Sequence, residues 1–438
     1  MKNKQIKEIN YVSESDVLKE MKDNKFSDEN KLKFVESIFK NYFLDNDNIN
    51  FLEENGYNFF DITDDEMCFC LSDGKYVECC KKKMSKKREQ PYTSYEESLT
   101  SASYYDKFSL YIDMLFKKNY SLLSEKENCN IKNCDLKTVE SCLYDIIDFE
   151  DQYFYSTNSL NPLNSFLKMG DIFFNIVTKN NFKFYGFCKK HNEEIKNLEL
   201  ENNDIDDEKI LLIHYKTLIY KTFIYRVSLK TTIEDYLTNF NSIENKGYKS
   251  IFIYRLKKLA NQTRSILDVL NIYKNNIIEN KEIKIFKWTL PVQRNFLVSD
   301  LMYPQVCPND FKMVNSINNI FIKENPMLIN ISQKADKTII SISFDKNNQI
   351  LLKFIHQYLL LINEKIKNFE IFFSNCSLIL TDNILFSKEY FEKLSKDEQA
   401  LLSALNKFRL ENPNAGQEYI KMQFFAGFIR GNNFFINK

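Results

Sequence analysis

Four cysteines and one glycine fall within a single short stretch, CFCLSDGKYVECC, which runs from Cys68 to Cys80. In a reducing compartment, clustered cysteines hold metal or serve catalysis more often than they form disulfides. Zinc needs four sulfur or nitrogen ligands at tetrahedral corners. The sequence therefore predicts a zinc site from Cys68, Cys70, Cys79 and Cys80, with LSDGKYVE folded back as a hairpin and Gly74 at its bend with positive φ. The alternative is four unrelated thiols.

A second group of candidate ligands lies further along the chain. CNIKNC contains Cys129 and Cys134, and FCKKHN contains Cys188 and His191. The C-x-x-H spacing suits a turn that enters a helix, and NEEIKNLELE continues as that helix. These four residues predict a second structural zinc site; the alternative is that His191 is an ordinary surface histidine.

The first pattern resembles a known zinc motif. C-x-C-x8-C-C, with Ser72, Gly74, Lys75 and Tyr76 between the pairs, is similar to the SEC-C motif. That motif is named for the tail of the preprotein translocase ATPase and is fused to many uncharacterised bacterial proteins. Leu71 and Asp73 stand where the motif usually has small residues or glycine. The resemblance implies zinc ligation by all four cysteines.

The second pattern resembles a degenerate HNH-like region. Some uncharacterised bacterial proteins with an N-terminal SEC-C knuckle have a C-x4-C pair, a Ser-His-x-Ile segment and a Phe-Cys-x-x-His-Asp segment, and TDNILFSKEYFEKLS is similar to a downstream segment of theirs. The order is also similar to that of zinc-bearing HNH nucleases, whose histidine after the first knuckle acts as general base. Here Ser141 matches, but Cys142 replaces that histidine. A thiol does not match the neutral proton-acceptor role of an imidazole, so the sequence favours a protein that is not an enzyme.

The two other histidines do not supply the missing base. His214 and His356 lie in LLIHYKTLIYKTFIYR and ILLKFIHQYLLLI, which both read as helices. A lone histidine on an apolar helix is more often a core residue than a catalyst. No Gly-rich phosphate loop, Ser-His-Asp constellation or H-E-x-x-H motif is present.

Charge and hydropathy limit the class of partner. The chain has 60 basic and 60 acidic residues, so a nucleic acid would contact only part of the surface. No apolar run approaches the ~18 residues of a membrane span, and MKNKQIKEINYVSESD lacks the hydrophobic core of a signal peptide. We expect a cytoplasmic protein with no membrane partner, and nothing indicates a small-molecule substrate.

A basic run directly follows the first knuckle. KKKMSKKR contains the six candidate phosphate-binding residues Lys81, Lys82, Lys83, Lys86, Lys87 and Arg88. Beside a zinc hairpin the run suits phosphate, RNA or an acidic partner; a solvated linker is the alternative. The acidic stretch ENNDIDDEK argues against a continuous nucleic-acid track.

The periodicity predicts a mixed α+β protein. Residues 1–60 read as helices, with Ser27 as an N-cap. Residues 209–279 read as long helices, MLINIS and KTIISISF as a hairpin around QKAD, 347–366 as a helix, FEIFFSNCSLIL as a strand and 388–408 as a helix. We divide the chain into a helical N-terminal region (1–65), the zinc knuckle with its basic linker (66–90), the second zinc region (91–205), a long-helical region (206–282) and a smaller β-containing C-terminal region (283–438).

Three functional hypotheses remain open. The leading one is a zinc-stabilised cytoplasmic scaffold that binds a macromolecular partner, protein or nucleic acid. Its setting would be mobile-element or phage defence, where zinc proteins of this kind are common. The second is a divergent HNH-like metal-dependent nuclease. The third makes the SEC-C hairpin a protein-docking module.

Overall fold

The computed structural model describes residues 62–84, 102–144, 154–156, 174–200, 206–243, 246–276, 282–290, 295–304, 307, 314–315, 324–334, 337–362 and 366–411. Its helices are α1 (Cys80–Lys83), α2 (Ala102–Ser124), α3 (Lys189–Leu200), α4 (Asp207–Asn239), α5 (Lys246–Asn276), α6 (Gln349–Ile362), α7 (Ile366–Leu380), α8 (Lys388–Phe391) and α9 (Lys396–Glu411). Its strands are β1 (Val139–Cys142), β2 (Phe154–Ser156), β3 (Asn175–Val177), β4 (Lys183–Phe187), β5 (Ile283–Leu290), β6 (Phe296–Met302), β7 (Met327–Lys334), β8 (Lys337–Asp345) and β9 (Ile384–Ser387).

An antiparallel sheet organises most of these elements. Seven of the described strands follow the order β3-β2-β9-β6-β7-β8-β5, and β1 pairs separately with β4. Strands β2 and β3 therefore join the sheet formed by the C-terminal part of the chain, although they come from the middle of the sequence. The predicted α+β class is confirmed, whereas the proposed domain boundaries remain a prediction.

Both faces of this sheet are covered. Every residue of β6 is buried, and successive side chains enter different cores: Val298 and Met302 join one cluster, whereas Leu297 and Leu301 join the other. Helices α6, α7 and α9 contribute to the first cluster, and α4 and α5 contribute to the second. A strand covered on both faces reads as a continuous apolar run, so FLVSDLM shows no alternation in the sequence.

Helix α4 connects the sheet to both cysteine groups. Its N-cap Asp206 accepts a hydrogen bond from the backbone N–H of Lys209 at 2.8 Å. Buried side chains surround the helix for most of its length, because it packs against α2, α5, β4 and the sheet at once. A helix that is buried on all sides has a weak amphipathic pattern. It therefore forms the axis to which the cysteine-bearing segments attach.

Several predicted elements are confirmed. The hairpin around QKAD is β7–β8, the helix over 347–366 is α6, and the long-helical region forms α4 and α5. The helices predicted for residues 1–60, including the N-cap Ser27, lie outside the described residues. In the part of the chain that the structure describes, no helix combines the length and apolar character needed to cross a bilayer.

Two local predictions are wrong. FEIFFSNCSLIL belongs to helix α7, not to a strand. Periodicity misled here because Phe372, Phe373 and Ile379 are buried together with polar residues such as Ser377, which bonds the Phe373 carbonyl at 2.6 Å within the helix. The predicted helix 388–408 is interrupted between α8 and α9, where the hydroxyl and backbone N–H of Ser395 both bond Glu398, as in a capping box.

Candidate metal centres

The first cysteine group forms a tight hairpin. Met67 bridges Lys75, and the N–H of Cys68 donates to the carbonyl of Gly74 at 2.8 Å. The predicted fold-back of this stretch is thus confirmed. The prediction that Gly74 needs positive φ is wrong: the left-handed residues are Leu71 (φ 61°) and Asp73 (φ 56°).

The two left-handed residues are the same two that depart from the SEC-C pattern. Leu71 and Asp73 occupy the positions where the motif has small residues or glycine. Glycine adopts positive φ without steric cost, and aspartate tolerates it, whereas the left-handed helical region costs other residues roughly 1–2 kcal/mol. The turn therefore adopts positive φ at two positions although glycine is absent from both.

The hairpin brings all four sulfurs together. The Sγ atoms of Cys68, Cys70, Cys79 and Cys80 all lie within 4.8 Å of one another, with Cys70 3.3 Å from Cys68 and 3.4 Å from Cys79. Zinc–sulfur bonds of about 2.3 Å at tetrahedral angles separate sulfurs by about 3.8 Å. The spacing therefore suits a tetrahedral metal ion, after a slight expansion. This set, called site 1 below, is the predicted one.

Hydrogen bonds and burial act on the thiols of site 1. Burial raises the pKa of Cys68 and Cys80. Burial acts in the same direction on Cys70, but hydrogen bonds from Ser72 and the neighbouring thiols lower its pKa to about 7. The Ser72 hydroxyl lies 3.2 Å from the sulfurs of both Cys70 and Cys79. A divalent cation would supply the counter-charge that buried thiolates need.

Site 1 is anchored to the helices by aromatic side chains. Phe69 packs edge-on against Tyr236 of α4 at 5.2 Å, and the Tyr76 and Tyr236 hydroxyls are 2.7 Å apart. Glu66 forms an ion pair with Lys257 of α5 at 3.0 Å. Phe69 and Tyr76 are buried. These two aromatic side chains are thus packed within the chain, whereas Met67 of the same hairpin is exposed.

The second group also converges. Cys129, Cys134, Cys188 and His191 place their ligand atoms within 4.8 Å of one another. Nδ1 of His191 lies 3.3 Å from the sulfur of Cys129 and 3.4 Å from that of Cys188, and the sulfurs of Cys134 and Cys188 are 3.9 Å apart. A tetrahedral zinc ion places nitrogen and sulfur ligands about 3.6 Å apart. This set, called site 2 below, is also the predicted one.

The local fold explains how the ligands of site 2 meet. Cys129 and Cys134 lie in a turn closed by the bridge between Asn128 and Lys137, with Asn133 at φ 64°. Cys188 follows β4, and His191 lies in the first turn of α3, the helix predicted after the C-x-x-H spacing. The elements around site 2 are thus a turn, strand β1, strand β4 and helix α3 in chain order, with β2 and β3 of the other sheet inserted between β1 and β4.

Close packing fixes the two halves of site 2 against each other. The backbone N–H and the side-chain amide of Asn130 both donate to the carbonyl of Gly186, at 2.9 and 3.0 Å. A Cβ atom on Gly186 would lie 2.2 Å from Cγ2 of Ile219 in α4, so glycine is needed for this approach. The Tyr215 hydroxyl donates to the Asn130 carbonyl at 2.7 Å. Helix α4 therefore supports site 2 as well as site 1.

The thiols and the imidazole of site 2 have distinct surroundings. Burial raises the pKa of Cys129 to about 11. Burial opposes ionisation of Cys188 too, but hydrogen bonds from the His191 backbone N–H and from Cys134 lower its pKa. Nε2 of His191 lies 3.9 Å from a carboxylate oxygen of Glu194. Glu194 thus lies near the outer nitrogen of the ring, beyond hydrogen-bonding distance.

The remaining cysteines and histidines lie elsewhere. Cys142 ends β1 as a buried residue, with its sulfur 3.9 Å from the Lys179 carbonyl, and is not part of the four-ligand set. His214 is fully buried and bonds Ser341 and Ser343, and burial lowers its pKa to about 3, so it is neutral. The prediction that His214 is a core residue is confirmed, whereas the same prediction for His356 is wrong, because its side chain is exposed at the edge of the Phe286 ring.

Only part of the basic run can be located. Lys81, Lys82 and Lys83 form most of α1 and are exposed, and Lys81 pairs with Asp64. The remaining candidates, Lys86, Lys87 and Arg88, lie outside the described residues. Phosphate binding by this run stays a prediction.

Sequence reasoning missed one buried charged cluster. Asp300 of β6 is 0% exposed and bonds Lys221 of α4, which also contacts Asp382 at 3.3 Å. A single aspartate inside the apolar run FLVSDLM was the available signal, because a carboxylate in a buried strand requires a partner.

No protein-family model, curated protein or solved structure matches the chain. The four-ligand geometry of sites 1 and 2 therefore carries the functional argument, and the SEC-C and HNH-like resemblances rest on their motifs.

Proposed function

We propose that this chain is a non-enzymatic scaffold, stabilised by two structural zinc ions, that binds a macromolecular partner. The observation that carries the proposal is the convergence of two separate sets of four sulfur and nitrogen ligands, each within 4.8 Å. Four protein ligands complete a tetrahedral zinc site and leave no position for substrate. Catalytic zinc sites, by contrast, keep one position for water or substrate.

The chemistry of the ligands supports zinc. Sulfur with imidazole suits Zn²⁺, whereas Mg²⁺ and Ca²⁺ prefer oxygen ligands. None of the ten cysteines is in a disulfide, which agrees with a reducing, cytoplasmic setting. The order of ligands and the hairpin of site 1 support its assignment as an SEC-C-like knuckle, and the order turn, strand, strand, helix around site 2 supports the HNH-like assignment.

Exposed charge supports the partner-binding part of the proposal. Lys82 and Lys83 project from α1 beside site 1, whereas Lys75 and Lys81 pair with Asp65 and Asp64. A basic segment held by a zinc hairpin can follow a phosphate backbone. Docking of a protein would instead use the hairpin tip, because Phe69 and Tyr76 already pack inside the chain. We favour nucleic acid as the partner. The similar motif order of other zinc proteins suggests that the setting is mobile-element or phage defence.

The metal content tests the proposal directly. We expect about two zinc ions per purified chain, measured by inductively coupled plasma mass spectrometry, because each set offers one complete tetrahedral site. Cys79→Ser and Cys188→Ser should each lose one ion. A count near zero, with all seven clustered cysteines reactive to a thiol reagent, would refute the proposal. A wild-type count of one ion that stays at one in Cys188→Ser would refute site 2 alone.

A divergent HNH-like nuclease is the second candidate, favoured by the strand–strand–helix order around site 2. Cys142 occupies the position of the general base and is buried. General-base catalysis contributes about 10²–10⁴ in rate, so its loss leaves little activity. We therefore expect no cleavage of plasmid or single-stranded DNA with Mg²⁺ or Mn²⁺.

The Cys142→Ala variant separates the two candidates. It should keep both zinc ions, because four other residues complete site 2. Metal-dependent cleavage by the wild type that is abolished in Cys142→Ala would establish the nuclease. Zinc loss in Cys142→Ala would mean that Cys142 is a ligand and that His191 is available for chemistry.

A further inference from the structure

Helices α2 and α4 meet along a line of charged side chains, which we call the α2–α4 seam. Its six members are Lys118, Lys126, Glu127, Arg226, Lys230 and Glu234. At one end Arg226 contacts Glu127 at 2.7 Å, and at the other Lys118 forms an ion pair with Glu234. The two ends of the seam are therefore matched in charge.

The middle of the seam is not matched. Arg226, Lys230 and Glu234 lie four residues apart on α4, so they share one face, and successive members are about 6 Å apart along the axis. Lys230 thus lies between the two ion pairs. Lys118 of α2 pairs with Glu234, one helical turn beyond Lys230, and Lys126, just after α2, precedes Glu127, which pairs with Arg226 one turn before Lys230. These two ion pairs therefore hold both lysines on the side of α2 that faces Lys230.

Electrostatics agrees with this placement. Burial and the charge of Lys126 lower the pKa of Lys230, and the charge of Lys118 adds to the effect, while Glu234 offsets part of it. Glu234 is already engaged by Lys118 and by the amide of Asn119 at 2.9 Å. Within the described part of the chain, Lys126 and Lys230 form no ion pair. The middle position consequently has an excess of positive charge.

We propose that the middle of the α2–α4 seam binds a phosphate-type oxyanion between Lys118, Lys126 and Lys230. Three ammonium groups, each with three donors, suit a tetrahedral ion with several acceptor oxygens and about two negative charges. A carboxylate offers one charge and two oxygens, and so satisfies fewer donors. Free phosphate and the phosphates of a nucleic-acid backbone share this chemistry; in the second case the inference rests on the proposed function.

Lys230→Glu tests the site with two opposite effects. The new glutamate lies between the two existing ion pairs and can pair with the neighbouring cations, so the variant without ligand should melt at a higher temperature than the wild type. It should also weaken binding of inorganic phosphate by at least about tenfold, since an attractive charge becomes repulsive. Titration calorimetry measures the affinity, and differential scanning fluorimetry measures the melting temperature. Lys117→Glu, which makes the same charge change at an exposed position of α2, is the control and should bind phosphate like the wild type.

The two sources of phosphate are distinguished with an oligonucleotide. Binding of a fluorescent 20-mer oligothymidylate that is lost in Lys230→Glu and retained in Lys82→Gln/Lys83→Gln would assign the seam to a nucleic-acid backbone. Loss of phosphate binding with no oligonucleotide binding by the wild type would assign it to free phosphate.

Other outcomes overturn the inference. Equal affinity of wild type and Lys230→Glu for both probes, or equal weakening in Lys117→Glu, would show that no site exists at the seam. Tighter binding of polyglutamate than of oligothymidylate, abolished by Lys230→Glu, would show an acidic-peptide site instead. If Lys230→Glu does not fold, Lys126→Gln replaces it and should weaken phosphate binding severalfold. The zinc count is measured separately, so loss of the zinc proposal leaves this result intact.

Discussion

Replacement of Cys188 with Ser is expected to remove the site 2 zinc and to lower the free energy of unfolding by about 4 kcal/mol or more, the range that loss of a structural metal reaches. The serine hydroxyl is a poor zinc ligand at neutral pH, because thiolate rather than hydroxyl matches a borderline-soft ion. Cys188 also links strand β4 to helix α3, so the loss should spread through both elements. Guanidinium denaturation and zinc analysis measure the two effects.

Hydrogen exchange should locate the damage. We expect faster exchange of backbone amides in Lys183–Phe187 and Lys189–Leu200, which site 2 joins to the turn at Cys129 and Cys134. Cys142→Ser is the matched control: it changes a buried cysteine of the paired strand β1 and should keep both zinc ions. A Cys188→Ser protein with two zinc ions and unchanged exchange would contradict the assignment of Cys188 as a ligand.

The ligands of both sites could be predicted from sequence because metal coordination constrains residue type and spacing locally. Cys68 and Cys70, or Cys188 and His191, must come from one turn to face a common centre. What joins the halves of site 2 is not local: the pairing of β1 with β4 and the approach of Gly186 to Ile219 depend on packing against α4. Such long-range contacts produce no spacing pattern that could be recognised in the sequence.

Burial on several sides explains the other failures. The pattern of helix α7 resembles that of a strand, because its buried polar residues obscure the helical spacing of its apolar residues. Strand β6 has no alternating pattern, because all of its side chains are buried. The positive φ was expected at Gly74, although the chain places it at Leu71 and Asp73. In that turn the four sulfurs converge although the two left-handed positions carry residues that disfavour positive φ.

Replacement of Asp300 is the second change for which we expect a large loss of stability. Both oxygens of its carboxylate accept hydrogen bonds from buried donors. One oxygen accepts from Lys221 at 2.5 Å and from the N–H of Leu301 at 2.8 Å. The other accepts from the N–H groups of Asp382 and Asn383 at 2.6 and 2.8 Å. These last bonds fix the turn from α7 into β9, a strand that lies inside the sheet between β2 and β6.

Asp300→Asn should therefore destabilise the fold by about 3–5 kcal/mol, the cost of breaking a buried ion pair by removing one partner. The amide has nearly the size of the carboxylate, so the effect does not come from lost volume. Its NH₂ group must face donors whichever way it is turned, and Lys221 loses its closest counter-charge. Urea denaturation gives the free energy of unfolding, with Asp345→Asn, a half-buried aspartate on β8, as the control that should cost less than about 1 kcal/mol.

A double variant identifies the cause. If the uncompensated Lys221 charge dominates, Lys221→Met combined with Asp300→Asn should be more stable than the sum of the two single losses predicts, with a coupling energy within the ~0.5–3 kcal/mol range of residues in contact. Additive losses would assign the effect to the turn at Asp382 and Asn383 instead, because the methionine leaves those N–H groups unchanged. A loss below about 1 kcal/mol in Asp300→Asn itself would show that water or a nearby side chain replaces the carboxylate, and that the buried ion pair contributes little to the stability of the sheet.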